Sequence, residues 1–346
     1  MISDIFKYRS KLEKTIIDNL EQLSDQYSTV NEWSKNLFTR LKEFIIAGKL
    51  VRGQLLLFNN EIYGGKNNDD NYQVAAALEL FHSGLLIHDD IIDQDDTRRG
   101  QKSIHKYYGD YFKNNHIGKS YAICAADICF FCGYQLISKI KLSPELKDNI
   151  IGLLSSELIK VGLGEIEDVY FSISSDDITL ERIIEMYRYK TGRYTFSLPF
   201  ILGYQLSQNK NNQEELLADL GEKIGIIFQI RDDYLGIFGD SKITGKPIGN
   251  DIIEKKKTIY YWYLTHKTPK DINQKIIDIY QEQKVSPVDI EFIVSTIKNN
   301  KIDIEIETMI NKMVSQSKKM ISKLKISQDD RKLLNQLVEY IRLRNK

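Results

Sequence analysis

The run Leu217-Ala218-Asp219-Leu220-Gly221-Glu222-Lys223-Ile224-Gly225-Ile226-Ile227 places apolar side chains at Leu217, Leu220, Ile224 and Ile227, three and four residues apart. That is the period of one helical face, not the alternation of a strand. Leu153, Leu154, Leu158 and Val161 repeat it, and no segment reads as a strand. Three prolines follow Ser or Thr, at Ser143-Pro144, Thr268-Pro269 and Ser286-Pro287, the order of an N-cap and a first helical residue. Polar runs at Lys66 to Asn71 and Asn209 to Gln213 mark exposed loops. No low-complexity linker or short repeat divides the chain. The spacing therefore predicts one all-α domain over residues 1–346, with about a dozen helices.

At 346 residues and 42% hydrophobic content the chain has material for a sizeable core. Its 48 basic and 48 acidic side chains cancel. No net field draws nucleic acid or an anionic membrane, so any charge-based function must be local. Cys124, Cys129 and Cys132 share one apolar stretch with no second pair or histidine cluster to complete a zinc site, and read as reduced core residues. Cys129-x-x-Cys132 also has the spacing of a redox pair, but inside a helix rather than at a strand-to-helix start. The start, Met1-Ile2-Ser3-Asp4-Ile5, has no apolar targeting core. The most apolar stretch, Ile117 to Ile137, contains Lys119, Asp127 and Gln135, and reads as a buried helix rather than a membrane span. A soluble, cytoplasmic protein is expected.

The chemistry is concentrated in two acidic clusters. The first is Leu85-Leu86-Ile87-His88-Asp89-Asp90-Ile91-Ile92-Asp93-Gln94-Asp95-Asp96-Thr97-Arg98-Arg99-Gly100. Asp89 and Asp93 lie four apart on one helical face, where their repulsion would be relieved by a hard cation. Alone, the same pattern also describes a solvated acidic helix end. The second cluster, Gln229-Ile230-Arg231-Asp232-Asp233-Tyr234-Leu235-Gly236-Ile237-Phe238-Gly239-Asp240, again closes an apolar helical run with paired aspartates. Bases follow both: Arg98 and Arg99, then Lys246 and Lys255 to Lys257. Carboxylates without a direct cation partner, beside such bases, are what a magnesium-bridged diphosphate requires.

With these motifs in this order the chain resembles the trans-prenyl diphosphate synthase family (the polyprenyl synthetases, its geranylgeranyl and short-chain members in particular), from about Gly48 to Thr258. The resemblance rests on Gly48-Lys49-Leu50-Val51-Arg52, Asp89-Asp90-Ile91-Ile92-Asp93, Arg98-Arg99-Gly100, Lys190-Thr191 and the second aspartate pair. It implies a large helical bundle around a central cavity and a homodimer. The implied reaction condenses isopentenyl diphosphate with dimethylallyl, geranyl or farnesyl diphosphate, with roughly two or three magnesium ions bridging aspartates and diphosphate. Asp89, Asp90, Asp93, Asp232, Asp233 and Asp240 are the implied metal ligands. Lys49, Arg52, His82 and Arg99 would hold isopentenyl diphosphate. Arg98, Lys190, Thr191, Gln229, Lys246 and Lys256 would surround the allylic diphosphate, with Asp89, Asp93, Lys190, Gln229 and Asp232 as the catalytic set. One departure stands out: Gly236 occupies the place of a third aspartate, as in a short-chain subset reading Asp-Asp-x-x-Gly-x-Phe-Gly-Asp, and leaves the second ligand set open.

Product length would be set below the carboxylates. Gly84 and Phe81 lie ~7.5 Å and ~12 Å down the helix from Asp89, at 1.5 Å per residue. The resemblance implies that glycine at 84, beside Leu85, deepens the pocket and makes Phe81 its floor, for a geranylgeranyl (C20) or slightly longer product; Phe81 is equally readable as ordinary core. His88 is a packing or a catalytic residue. A class I terpene cyclase and a non-catalytic regulatory subunit are the rival readings, disfavoured by the second Asp-Asp pair and by the intact first motif. The basic end, Arg342 to Lys346, reads as a cover for the diphosphates or, in preference, as frayed.

Overall fold

The computed structural model describes residues 2–239, 249–282 and 284–344. In chain order its elements are α1 (Arg9–Gln26), α2 (Ser34–Ile46), α3 (Val51–Ile62), α4 (Asp69–Ile92), β1 (Thr97–Arg98), β2 (Gln101–Lys102), α5 (Ile104–Phe112), α6 (Asn115–Lys139), α7 (Pro144–Ile173), α8 (Leu180–Tyr187), a π-helix (Arg188–Ser197), α9 (Leu198–Leu206), α10 (Glu214–Phe238), α11 (Asn250–Ile253), α12 (Ile259–Lys267), α13 (Lys270–Gln281), α14 (Pro287–Asn299), α15 (Ile302–Ile321) and α16 (Gln328–Arg342). The all-α class expected from the spacing is the one observed. The residues pack as two compact units, Ser3–Leu153 with Pro199–Lys210, and Leu154–Leu198 with Asn211–Lys346.

Two local expectations are corrected. β1 and β2 pair antiparallel, Thr97 opposite Lys102 and Arg98 opposite Gln101, where no strand was expected. Two residues a side are too few for a period-two pattern; the pair is made by its turn, with Arg99 and Gly100 at φ 55° and 76°. Of the three proline starts, Pro144 and Pro287 open helices, and Ser286 forms a capping box with Asp289. Thr268 instead closes α12, its hydroxyl donating to the Leu264 carbonyl at 2.7 Å, and Pro269 is itself the cap of α13.

In the first unit, α4 buries Val74 to Leu78, Leu80 and Phe81. Small residues on α6, among them Gly118, Ala122, Ala126 and Gly133, let it approach α4 and α5 closely; a Cβ at Gly133 would press on the Phe81 ring. α6 is long and apolar enough to cross a membrane by length and composition, and it contains the stretch expected to be a buried helix. Its cysteines are free thiols: Cys129 and Cys132 are buried, which pushes Cys132 up to about 11, but Cys124 is exposed rather than in the core.

In the second unit, α10 lies against the π-helix with backbones in contact, because Gly192 and Gly225 leave no room between them for a Cβ. The wide π turn spans Lys190, Thr191 and Arg193, and such turns are frequent where side chains must be presented irregularly.

Candidate active site

α4 carries its acids at its C-terminal end. Asp89 and Asp90 occupy the last turn and Asp93 ends the helix, its N–H donating to the Asp89 carbonyl at 2.8 Å. Gln94 then turns left-handed, at φ 58°, and β1 brings Arg98 back over the acids. Its guanidinium donates to Asp89 at 3.0 Å, to Asp95 at 3.4 Å, and through Nε to Asp90. The expectation of carboxylates lacking a direct cation partner is thereby corrected: the tight turn after Asp93 folds the adjacent base onto them. Asp90 is fully buried, and burial pushes its carboxyl up to about 7 despite Arg98. Among the described residues its Oδ2 has no hydrogen-bond partner. A buried oxygen of this kind beside Asp89 and Asp95, with one guanidinium against all three, is the hard-oxygen chemistry that magnesium takes, while among the described residues no group of three or more acids is drawn together into a metal cage.

A basic site lies in the same unit. Gly48 and Lys49 form the link between α2 and α3, which Arg9 fastens by donating to the Gly48 and Ile46 carbonyls at 2.8 and 3.0 Å. Arg99 donates to the Phe44 carbonyl at 3.0 Å and lies against Gly48, where a Cβ would press on its guanidinium. Burial, then the nearby charges of Arg52, Arg99 and Arg98, hold His82 well below the usual imidazole range, so it is neutral. Arg52, His82 and Arg99 are thus brought together, while Lys49 is exposed on the link. The sequence reading missed Glu79. This buried acid accepts the Gly53 N–H at 2.8 Å, and burial raises its carboxyl against the pull of Arg52. Its position three residues before His82, on the same helical face, was the available signal.

The second acidic end is built by α10. Thr191 donates to Gln229 at 2.7 Å, Gln229 donates to Asp233 at 2.9 Å, and the Tyr187 hydroxyl donates to the other Asp233 oxygen. Burial pushes the Asp233 carboxyl up, and Asp232 and Asp168 push it further. Asp232 is exposed and pairs with Arg344 at 2.8 Å, the guanidinium standing 4.2 Å over the Phe228 ring. Arg344 is therefore not part of a frayed end; an exposed carboxylate and an aromatic face hold it. Lys190 donates to Asp168 at 2.6 Å and pairs with Glu165 at 2.8 Å, two acids on one face of α7 that the sequence reading also missed. Lys256 pairs with Glu254 at 2.9 Å. Asp240 and Lys246 lie outside the described residues.

One chain-length position, Gly84, differs from expectation. Gly84 does not face open space: a Cβ there would meet the Ala126 carbonyl at 2.9 Å and the Phe130 ring at 2.9 Å, both on α6. Phe81 is fully buried, 4.8 Å from the Tyr134 ring and 6.5 Å from that of Phe130. The partly exposed residues between Val74 and Ile87 are His82, Leu85 and Leu86, on the face of Asp89 and Asp93. Phe130 is also partly exposed and stands 5.7 Å from His88, whose Nε2 lies 3.8 Å from Asp127.

Comparison with known proteins gives the family and the fold. Residues 34–297 match the model of the polyprenyl synthetase family. The geranylfarnesyl diphosphate synthase of Aeropyrum pernix is 30% identical, over 85% of this chain and 89% of that protein. The geranylgeranyl diphosphate synthase of Sulfolobus acidocaldarius is 31% identical, over 73% and 72%. The crystal structure of geranylgeranyl pyrophosphate synthase from Corynebacterium glutamicum, complexed with isoprenyl diphosphate and magnesium, superposes with a TM-score of 0.91 at 25% identity, covering 99% of both chains.

Proposed function

This chain belongs to the polyprenyl synthetase family and is a trans-prenyl diphosphate synthase, and from that premise we propose that it extends an allylic diphosphate with isopentenyl diphosphate to a geranylgeranyl or slightly longer product, as one domain in each half of a cytoplasmic homodimer. The observation that carries the reading is the end of α4, where an Asp90 oxygen without a hydrogen-bond partner among the described residues sits beside Asp89 and Asp95 with Arg98 against all three. Magnesium bound there, as two or three ions in all, would supply positive charge against the departing diphosphate. The set is Asp89, Asp90 and Asp93 on α4 and Asp232 and Asp233 on α10, with Asp240 proposed from the motif alone.

The remaining work falls to the protein. Arg98, Lys190 and Lys256 now rest on carboxylates; Arg98 can turn to a diphosphate oxygen once Asp89 and Asp90 take metal, and Lys190 and Lys256 can exchange Asp168 and Glu254 for the denser charge of a diphosphate. Thr191 orients Gln229 toward the same group, and Lys246 is assigned there by motif. Lys49, Arg52, Arg99 and neutral His82 hold the second diphosphate, and the His82 ring adds a donor without adding charge. Leu85 and Leu86 give the growing chain an apolar wall that keeps water from its carbocation. The test is turnover of C5, C10, C15 and C20 allylic diphosphates with isopentenyl diphosphate and magnesium. Elongated products are expected; cyclised hydrocarbon would point to a cyclase, and no turnover to a regulatory subunit.

Length control is reassigned to Phe130, which fills the space that a larger residue at 84 would take. Phe130→Ala should lengthen the product by about one five-carbon unit or more, because removing the ring opens space beside Gly84. Phe81→Ala should leave length unchanged and destabilise by about 3–5 kcal/mol, as a buried ring in a packed core does. Product mass from the two variants separates the roles.

The homodimer is supported by apolar residues left exposed on α6. Ile123 and Phe131 are 47% and 71% exposed, and Phe131 borders a groove of about 700 Å³ lined by Tyr27, Trp33, Leu37, Phe38 and Ile128. A second copy would cover it. A monomeric mass at micromolar concentration would overturn this.

A further inference from the structure

We infer that Arg9 of α1 and Glu79 of α4, neither of which is among the proposed substrate contacts, are positioning residues that hold the link of residues 47–50 and so set where Lys49 and Arg52 present their charges to isopentenyl diphosphate. The inference deepens the proposed function and rests on that reading. Helix ends leave backbone groups without intrahelical partners, which must be found elsewhere. At the end of α2 the Glu43 and Ile45 carbonyls accept the Ala47 and Gly48 N–H groups at 3.2 and 3.0 Å. The two carbonyls between and after them are met by guanidinium groups from other elements. Arg99 donates to Phe44 at 3.0 Å and Arg9 to Ile46 at 3.0 Å, and Arg9 reaches on to the Gly48 carbonyl at 2.8 Å. Cations at a helix C-terminus are also the sign that the helix dipole favours.

The start of α3 is held in the same way with the sign reversed. α3 has no side-chain cap from its own N-cap residue, Leu50, which is left-handed at φ 52° and buried. A leucine keeps that conformation only where its surroundings impose it. Glu79 is one such surrounding group: 3% exposed, it accepts the Gly53 N–H from the first turn of α3 at 2.8 Å. α3 comes this close because Gly53 has no side chain; a Cβ there would lie 2.9 Å from the Ala75 carbonyl, one turn before Glu79 on α4. Gln54 then donates to the Lys49 carbonyl at 2.9 Å. Cations from outside thus close one end of the link and an anion the other, with Lys49 inside it and Arg52 two residues beyond Leu50. Arg52 and Arg99 in turn favour the ionised form of Glu79 against its burial, so the acid offsets part of the positive charge gathered there. Freeing either end lets Leu50 leave the left-handed region, which shifts Lys49 relative to Arg52 and misplaces two charges that must meet one diphosphate.

The test is steady-state kinetics of the full-length protein, with KM measured separately for isopentenyl diphosphate and for the C5 to C20 allylic primer that the wild type extends fastest, and urea midpoints alongside. The Arg9 side chain is 42% exposed, so its replacement leaves the core intact. Arg9→Gln should raise KM for isopentenyl diphosphate about tenfold, the weight of hydrogen bonds from a charged group, with KM for the allylic primer and kcat within about twofold of the wild type. Arg9→Lys should fall between, because one ammonium cannot reproduce the fork that serves two carbonyls. Glu79→Gln keeps the shape and an acceptor but not the charge, and should give the same split between the two KM values, whatever its urea midpoint. A KM for isopentenyl diphosphate at the wild-type value in Arg9→Gln, or equal changes in both KM values, overturns the inference and leaves the proposed function standing. Failure of the wild type to consume isopentenyl diphosphate with any allylic primer overturns both.

Discussion

Asp89→Ala should lower turnover by about a thousandfold while leaving the urea midpoint within experimental error of the wild type. The rate effect follows from where charge develops. As the allylic diphosphate leaves, stabilisation of its oxygens is the dominant demand, and losing one preorganised contributor costs two to three orders of magnitude. The small stability effect follows from what Asp89 touches: its side chain is 22% exposed and meets Arg98 at 3.0 Å. Asp90 and Asp95 remain on that guanidinium in the variant. Asp90→Ala should behave differently, losing both rate and stability, because its side chain is only 1% exposed and its removal deprives a mostly buried guanidinium of its Nε partner. Steady-state kinetics at saturating magnesium, with urea unfolding of both variants, checks the contrast. An Asp89→Ala enzyme within tenfold of wild-type turnover would count against the assignment of that carboxylate.

The parts of the site legible in the sequence are those that sit on one helix. Asp89, Asp93 and His82 share a face of α4, and Gln229 and Asp233 are one turn apart on α10, so a period of 3.6 residues finds them. Groups joined only by tertiary packing were invisible to that method. Glu165 and Asp168 meet Lys190 from another helix. Arg344 returns over a hundred positions to Asp232. Gly84 was misread for the same reason. Spacing along α4 gives its depth below Asp89 but cannot say that α6 lies against it with Phe130 in the gap. The helical class was legible because apolar period is a local property, whereas the β1–β2 pair depends on two left-handed residues that leave no periodic trace.

Arg193→Met should destabilise the protein by about 3–5 kcal/mol, the cost of stripping one partner from a buried ion pair. Arg193 leaves the π-helix with two donors on Glu157, at 2.7 and 3.0 Å, and a third on Glu222. Glu157 is 2% exposed, so the methionine strands a carboxylate whose other close base is Lys160 at 2.8 Å. The sign with pH is fixed by the wild-type pair. Burial raises the Glu157 carboxyl, but hydrogen bonds from Arg193 and Lys160 outweigh it and hold the group below the ordinary glutamate range. A depressed acid contributes stability that is fully present above its unfolded value and is lost as pH falls through its folded value. The variant has lost the main cause of the depression, so its stranded carboxylate costs most where it is ionised. Urea midpoints should therefore differ most at neutral pH and converge as the pH drops below the glutamate range. Glu157→Leu added to Arg193→Met should recover much of the loss, since an apolar replacement of both partners removes the buried charge. A gap that stays constant with pH would place the effect in packing of the π-helix rather than in the ion pair.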